Sequence, residues 1–376
     1  MGYLAHPETS VDPWGGGLGP VPAGRRPTPT PDSYIVNRAL PLSERALIKR
    51  IRRRLGRRSR AVVTGIGDDC AVLRVPPGHE ALVTSDFSLE GIHFRREWHP
   101  PESVGHRCLT RGLSDIAAMG GEPIAAFLSL ALPAKLPQSW ADRFLDGLLR
   151  LSAKAGVVLA GGDTAESPSG VMADIVVLGS APRGKAILRS SARPGHRIYV
   201  TGELGGAAAT LDLLSKGKKR LAPKGYSQHF FPAPRLDVGQ VLSGQRLVSS
   251  MIDISDGLST DLMHICEESG VGAEIKKQAI PVARIGKPRR RVDVRFALHG
   301  GEDYELLFTA PPHKRIPARI GRISITEIGC ITHGKKIFIR NSDGSLTELD
   351  PQGWEHFTNP TNLGTVDDSV VSRLCA

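Results

Sequence analysis

Six aspartates recur in similar surroundings along this chain of 376 residues. Asp69, Asp86, Asp115, Asp163, Asp253 and Asp256 mostly stand where an apolar run ends beside Gly, Ser or Thr. Loops at a sheet edge build functional sites in such places. One acid in that context is ordinarily a cap or a turn residue. Six brought together would repel one another unless cations neutralised them. Carboxylate oxygens beside flexible glycine backbone suit Mg²⁺, a hard cation that commonly shares its ligands with substrate phosphates. Phosphoryl transfer asks little of a protein beyond positioning and charge neutralisation, so a carboxylate nest of this kind is sufficient equipment.

The elements that must position these acids follow from the apolar pattern. In the stretch 65–94, Ala71-Val72-Leu73 and Ala81-Leu82-Val83 read as short strands joined by the turn Pro76-Pro77-Gly78. A hairpin there would bring Asp69 and Asp86 to one place. Val104, Cys108, Leu113 and Ile116 predict a helix that ends at Gly120-Gly121 and carries Ser114-Asp115 near its C-terminus. A strand over 125–132 follows. Trp140, Phe144, Leu148, Leu151 and Ala155 predict a helix stopped by Gly156. A buried strand at 157–160 then runs into Gly161-Gly162-Asp163-Thr164, and another strand occupies 173–178.

The second half restarts with a strand at 197–201 and a Gly-rich helix start at 202–206. A strand at 251–254 leads into Asp253-Ile254-Ser255-Asp256-Gly257, and a helix with Leu258, Leu262 and Ile265 on one face follows. Gly300-Gly301-Glu302-Asp303 introduces a strand at 304–309, while 292–298 alternates like a strand with a helix as the alternative. Alternating strands and helices in both halves indicate α/β or α+β layers. Residues 1–40 are Pro- and Gly-rich without periodicity and read as a disordered arm. The expected organisation is an N-terminal α/β domain at 41–187, a C-terminal α/β domain at 188–357 and a tail at 358–376.

Composition narrows the function classes. The net charge of +11 concentrates at 45–60, 216–220 and 287–291. The first run is the solvated face of an amphipathic helix, and aromatics make up only 5% with none interleaved among the basic runs. Specific nucleic-acid binding is therefore not indicated. No apolar run approaches the roughly 20 residues that span a bilayer. No basic-then-apolar signal pattern opens the chain. Five scattered cysteines form neither a disulfide framework nor a zinc pattern, which fits a reducing cytoplasm. Two stretches, beginning at Gly179 and at Gly329, match the GxxxxGK spacing. Ala186 and Lys336 stand where a P-loop needs a hydroxyl, so neither qualifies.

The segments GIGDDCAVL, TSDFSLEGIHF, LSDIAAMGGEP, GGDT, DISDGLSTDL and GGEDYELLFT occur in an order and spacing that resembles thiamine-monophosphate kinase, from about Leu42 to Phe357. That family shares its ATP-binding fold with aminoimidazole ribonucleotide synthetase and selenophosphate synthetase. The resemblance implies a two-domain fold whose N-terminal domain pairs with its twin across a dimer β-barrel, giving a homodimer with nucleotide sites near the interface. It implies ATP-dependent phosphorylation of thiamine monophosphate with several Mg²⁺ ions. Matched position by position, it makes Asp69, Thr84, Ser85, Asp86, Asp115, Asp163, Asp253 and Asp256 the metal ligands. Gly162, Asp163, Arg189 and Ser255 would hold ATP. His93, Glu302 and Trp354 would contact the acceptor, with Trp354 open to an alternative role as a packing anchor. No covalent nucleophile or dedicated base is implied.

Three other readings compete. A hydrogenase-maturation relative would use a C-terminal cysteine, but Cys375 is penultimate and lacks the context. A selenophosphate synthetase would need a reactive cysteine, whereas Cys70 lies in an apolar strand. A basic RNA-binding scaffold would have no use for the acid set.

Overall fold

Long strands and two long helices dominate the first half of the computed structural model, which describes residues 44–55, 60–66, 69–218 and 221–354. The arm at 1–40 and the tail at 358–376 lie outside these residues. Helix α1 (Glu44–Arg54) is followed by β1 (Val62–Thr64), β2 (Val72–Leu73), β3 (His79–Leu89), α2 (Pro101–Ala118), β4 (Glu122–Pro133), α3 (Gln138–Ala155), β5 (Val158–Ser167) and β6 (Met172–Pro182). Strands β3, β6, β4 and β5 form a four-stranded sheet in that order, with β4 and β5 parallel and the other pairs antiparallel. The parallel pair is joined through α3, because parallel neighbours cannot be linked by a tight turn. Gly156 ends α3 as expected, taking the left-handed conformation at φ 70°.

The second half runs β7 (Arg197–Thr201), α4 (Gly206–Ser215), α5 (Ser227–Phe230), α6 (Leu236–Gly244), β8 (Ser250–Asp253), α7 (Leu258–Ser269), β9 (Gly272–Lys276), β10 (Arg284–Ile285), β11 (Arg290–Arg291), α8 (Val294–His299), β12 (Leu306–Ala310), β13 (Arg319–Ile320), β14 (Ile323–Thr332), β15 (Ile337–Arg340) and β16 (Leu346–Glu348). Its eight-stranded sheet has the order β16-β15-β9-β14-β7-β12-β8, with β13 paired to β14.

Three expectations are corrected. The β2–β3 hairpin does not form: β2 pairs with β1 and β3 pairs with β6. The two-residue β2 is far shorter than β3, whose eleven residues find a full-length partner in β6. Residues Gly161–Thr164 are not a loop after a strand but lie inside β5, paired to β4. The 292–298 stretch resolves as helix α8, whose N-cap Asp293 accepts a hydrogen bond from the Arg295 amide.

Helix α2 sits between the two sheets, with both Ala and Leu faces and even Ser103, Arg107, Thr110 and Ser114 buried. A helix buried all round must bring its neighbours close. Gly105 and Gly147 permit this, since a Cβ at Gly105 would fall 1.9 Å from the Phe144 carbonyl oxygen and one at Gly147 the same distance from that of Glu102. The opposite face of the four-stranded sheet is open. Val83 and Phe87 are 67% and 62% exposed there, and Met172 lies among the exposed residues too. No described helix is long and apolar enough to cross a membrane.

Candidate active site

Alternation along β3 decides which of its side chains act together. Leu82, Thr84, Asp86 and Ser88 turn toward α2, whereas Val83, Ser85 and Phe87 turn to the open face. The Thr84 hydroxyl donates to Asp115 Oδ2, fixing the acid near the end of α2 to the strand. The neighbouring Ser114 hydroxyl donates to Asp253 Oδ2 at 2.6 Å, fixing the end of β8 to the same helix turn. Asp86, Asp115 and Asp253 thus converge from three elements and both halves of the chain. A cleft of about 420 Å³ opens beside them, lined by Thr84, Asp115, Arg189, Met251, Asp253 and Glu268.

These acids are short of positive charge. Burial, and then Asp115, push Asp86 up to about 7. Burial and again Asp115 do the same to Asp253. Burial raises Asp115 as well, opposed by the Thr84 hydroxyl that donates to it, by a proton shared with Asp86 and by the charge of Arg189. Asp86 Oδ2 is buried with no hydrogen-bond partner. An orphaned carboxylate oxygen beside two further carboxylates and a threonine hydroxyl is an all-oxygen donor set that fits Mg²⁺.

Asp256 stands in the loop after β8. Its backbone N–H and that of Gly257 donate to Asp261, at 3.2 and 3.0 Å. One oxygen each of Asp256 and Asp261 and a ring nitrogen of His264 lie within 4.8 Å of one another. Ser255 belongs to the same loop, and its carbonyl accepts from the Glu302 amide at 2.8 Å. Trp354 reaches that loop from the other side: its amide donates to the Asp256 carbonyl at 3.3 Å while its indole stays 49% exposed. His93 has its Nδ1 fixed by the Leu89 amide at 3.0 Å, and its carbonyl accepts from Arg107 at 3.1 Å. His93, Glu302, Trp354, Ser255 and Asp256 therefore border one region through short chains of contacts.

Two groups of expected residues are not brought to this centre by one chain. Ser85 faces the open side, where its hydroxyl donates to Asp174 at 2.9 Å. Gly162 and Asp163 lie on β5, the sheet edge opposite β3. Three strand spacings separate those edges by about 14 Å. Asp163 is exposed, with its Oδ1 accepting from the Thr164 amide at 2.8 Å. Gly162 must be glycine there, because at φ 141° a Cβ would lie 1.9 Å from the Leu128 carbonyl oxygen. The segment that carries exposed Asp69 also sits on the β5 side, where Gly65 approaches the Ala160 carbonyl. The sheet register does place Asp163, Ser129 and Asp174 in one row across the strands.

Several residues escaped the sequence reading. Asp174 had no Gly, Ser or Thr neighbour to mark it, standing between Ala173 and Ile175. Arg107 and Arg111 did have a signal, because with Asp115 they repeat at a spacing of four along one helix. The Gly-rich start of α4 is no phosphate cradle: Asp303 already accepts from the Gly205 and Ala207 amides, at 2.5 and 3.2 Å. The GxxxxGK stretch from Gly179 begins inside β6, which confirms that it is not a P-loop.

The chain has known counterparts. Residues 67–181 match the family AIR synthase related protein, N-terminal domain, and residues 193–340 match its C-terminal domain. The thiamine-monophosphate kinase of Escherichia coli is 37% identical over 313 residues, covering 80% of this chain and 93% of the relative. A crystal structure of thiamine-monophosphate kinase from Stenotrophomonas maltophilia superposes with a TM-score of 0.70 at 32% identity, covering 80% of this chain and 96% of that one. A structure described as AaThiL complexed with AMPPCP and TMP gives a TM-score of 0.66 at 32% identity, over 83% of this chain and 95% of that one. The expected mixed α/β, aminoimidazole ribonucleotide synthetase-like fold is thereby confirmed.

Proposed function

The chain belongs to the thiamine-monophosphate kinase family, and from that premise we propose that it transfers the γ-phosphoryl group of ATP to the phosphate of thiamine monophosphate, giving thiamine diphosphate. The observation that carries this reading is the convergence of Asp86, Asp115 and Asp253, largely withdrawn from solvent and raised in pKa, beside an open cleft. Its kinase class follows from the family. The ligands held by the relative described as complexed with AMPPCP and TMP support ATP and thiamine monophosphate as the substrates here.

In this reading Asp86, Asp115, Asp253 and Asp256, with Thr84, hold Mg²⁺, which supplies charge neutralisation for the reacting phosphates. Asp69 and Asp163 extend the ligand set, and Ser85 joins it only from the open face of β3. Arg189, exposed at the mouth of the cleft, can fork onto phosphate oxygens of ATP, with Ser255, Gly162 and Asp163 as its other contacts. The exposed Trp354 indole offers a face to the cationic acceptor, with His93 and Glu302 beside it. The acceptor oxygen already belongs to a phosphate, so direct in-line attack needs no strong base.

The division of expected ligands between opposite sheet edges favours a homodimer, in which the second copy brings its own edge to complete the centre. The open apolar face around Val83, Phe87 and Met172 is the surface for that pairing. Cys70, Cys108, Cys266 and Cys330 are free thiols, which suits a reducing cytoplasm. We place the boundary between the two domains at 187–188.

The test is an assay of the purified protein with ATP, MgCl₂ and thiamine monophosphate, following thiamine diphosphate by chromatography. Stoichiometric conversion of ATP to ADP and of the acceptor to the diphosphate is expected. ATP hydrolysis that is independent of the acceptor, with no diphosphate formed, would overturn the reading.

A further inference from the structure

We propose that Arg107 and Arg111 of α2 are positioning residues for the acceptor, acting by bracketing Glu302 across the two halves of the chain. This rests on the acceptor-binding role proposed above for Glu302. Each carboxylate oxygen of Glu302 is taken by a different arginine: Oε2 by Arg107 Nη2, and Oε1 by Arg111 Nη2 at 2.6 Å. The two guanidinium side chains are nearly enclosed, with 4% and 13% of their surface exposed, against 22% for Glu302. Glu302 is therefore the most exposed member of the triad, and the arginines are the enclosed ones.

The segment that carries Glu302 needs such support. Glu302 and Tyr304 take left-handed backbone conformations at φ 68° and 51° without being glycine. Non-glycine residues held this way are strained and persist only where their surroundings impose them. Here the Glu302 and Tyr304 amides are held by the Ser255 and Ile254 carbonyls, at 2.8 and 2.9 Å. Asp303 is anchored on the start of α4. Those contacts all come from the second half of the chain. The bracket ties the segment to α2, the helix that also carries Asp115. Arg107, Arg111 and Asp115 lie one helical turn apart in succession. One rigid helix therefore sets the spacing between a metal ligand and the acceptor carboxylate.

Both arginines retain polar capacity that the bracket does not use. Arg107 Nε and Nη1, Arg111 Nε and the Tyr304 hydroxyl are buried without a hydrogen-bond partner. Leaving such donors unmet is costly, so a purely structural pair would have been better served by apolar packing. With one carboxylate between two guanidiniums the triad carries a net charge of +1. It therefore suits an acceptor that arrives with a phosphate.

The experiment compares Arg111→Gln, Arg111→Lys, Glu302→Gln and the double variant Arg111→Gln/Glu302→Gln in the full chain. KM for each substrate, kcat and the thermal midpoint are measured alongside wild type. Arg111→Gln is expected to raise the acceptor KM about tenfold or more while the ATP KM stays within about twofold. Arg111→Lys should recover part of the loss. The double variant should be no worse than the more impaired single one, because Arg111 acts through Glu302. Full additivity, or an acceptor KM unmoved in folded Arg111→Gln while Glu302→Gln raises it, overturns the bracket alone. Wild-type protein that fails to phosphorylate thiamine monophosphate overturns the underlying reading instead.

Discussion

A trio of carboxylates and a single one, both held against α2, meet opposite electrostatic fates. At the cleft, Asp86, Asp115 and Asp253 face one another; burial raises all three, and repulsion from Asp115 adds to the rise of Asp86 and Asp253. A helical turn or two away, burial also opposes ionisation of Glu302, yet Arg107 and then Arg111 overcome it and hold the group down to about 2. The difference lies in who supplies the countercharge. Glu302 has fixed cations built into the chain, so its charge is permanent and its position set. Arg111 reaches Asp86 and Arg189 reaches Asp115 and Asp253, yet neither offsets burial, so in the proposed reading these acids take a cation from solution.

The sharpest way to break this contrast is to remove one acid from the metal group. Asp115→Asn or Asp253→Asn removes an anionic oxygen while keeping shape. Each should lower kcat about a hundredfold, the roughly 3 kcal/mol commonly lost with a transition-state charge stabiliser. Wild-type kcat in either folded variant would remove these aspartates from the mechanism. Stability should move in the contrary sense in the two groups. Glu302→Gln strands two enclosed guanidiniums and should cost about 3 kcal/mol in denaturant unfolding. Asp115→Asn should stabilise the protein in Mg²⁺-free buffer, because it relieves repulsion. Destabilisation of similar size in both variants would erase the distinction.

The pH dependence sharpens the same contrast. A free aspartate titrates near 3.9. Asp86 and Asp253 are held at about 7 in the fold. Between these values the folded state binds more protons than the unfolded one, so this cluster weakens the fold as pH rises from about 4 to 7. Mg²⁺ should cancel that loss, so the rise in thermal midpoint on adding MgCl₂ should grow from pH 5.5 to pH 8. A shift that is constant or shrinks would show that the acids are not the site of binding. Glu302 has the opposite sign: its contribution is present above its unfolded value and fades as pH falls toward about 2. The smallest effect belongs to Trp354→Ala, expected to raise the acceptor KM several-fold with kcat and the ATP KM unchanged. An unmoved acceptor KM would assign this tryptophan to packing.

Much of this was legible in the residues. Periodicity located α2 and α3, and Gly156 marked the end of α3, because local sterics and a single apolar stripe decide those features. The recurrence of Asp beside Gly, Ser and Thr pointed to the acids that meet at the cleft. Pairing was less legible. Nothing local in Val72-Leu73 tells it to join β1 rather than β3, since strand partners are chosen by the whole sheet. The burial of Arg107 and Arg111 was hidden for a related reason: in the sequence they are basic residues on a helix, and only tertiary packing reveals that the helix has no solvated face. The separation of Gly162 and Asp163 from Asp86 depends on strand order, which no single segment encodes.

The claim that the aspartates await a cation while Glu302 already has its own is tested most directly by the Mg²⁺ concentration for half-maximal turnover. It should be measured at saturating ATP and thiamine monophosphate in wild type, Asp115→Asn and Glu302→Gln. The half-activating concentration should rise about tenfold or more in Asp115→Asn and stay within about twofold of wild type in Glu302→Gln. Equal shifts in the two variants, or none in Asp115→Asn, would contradict it.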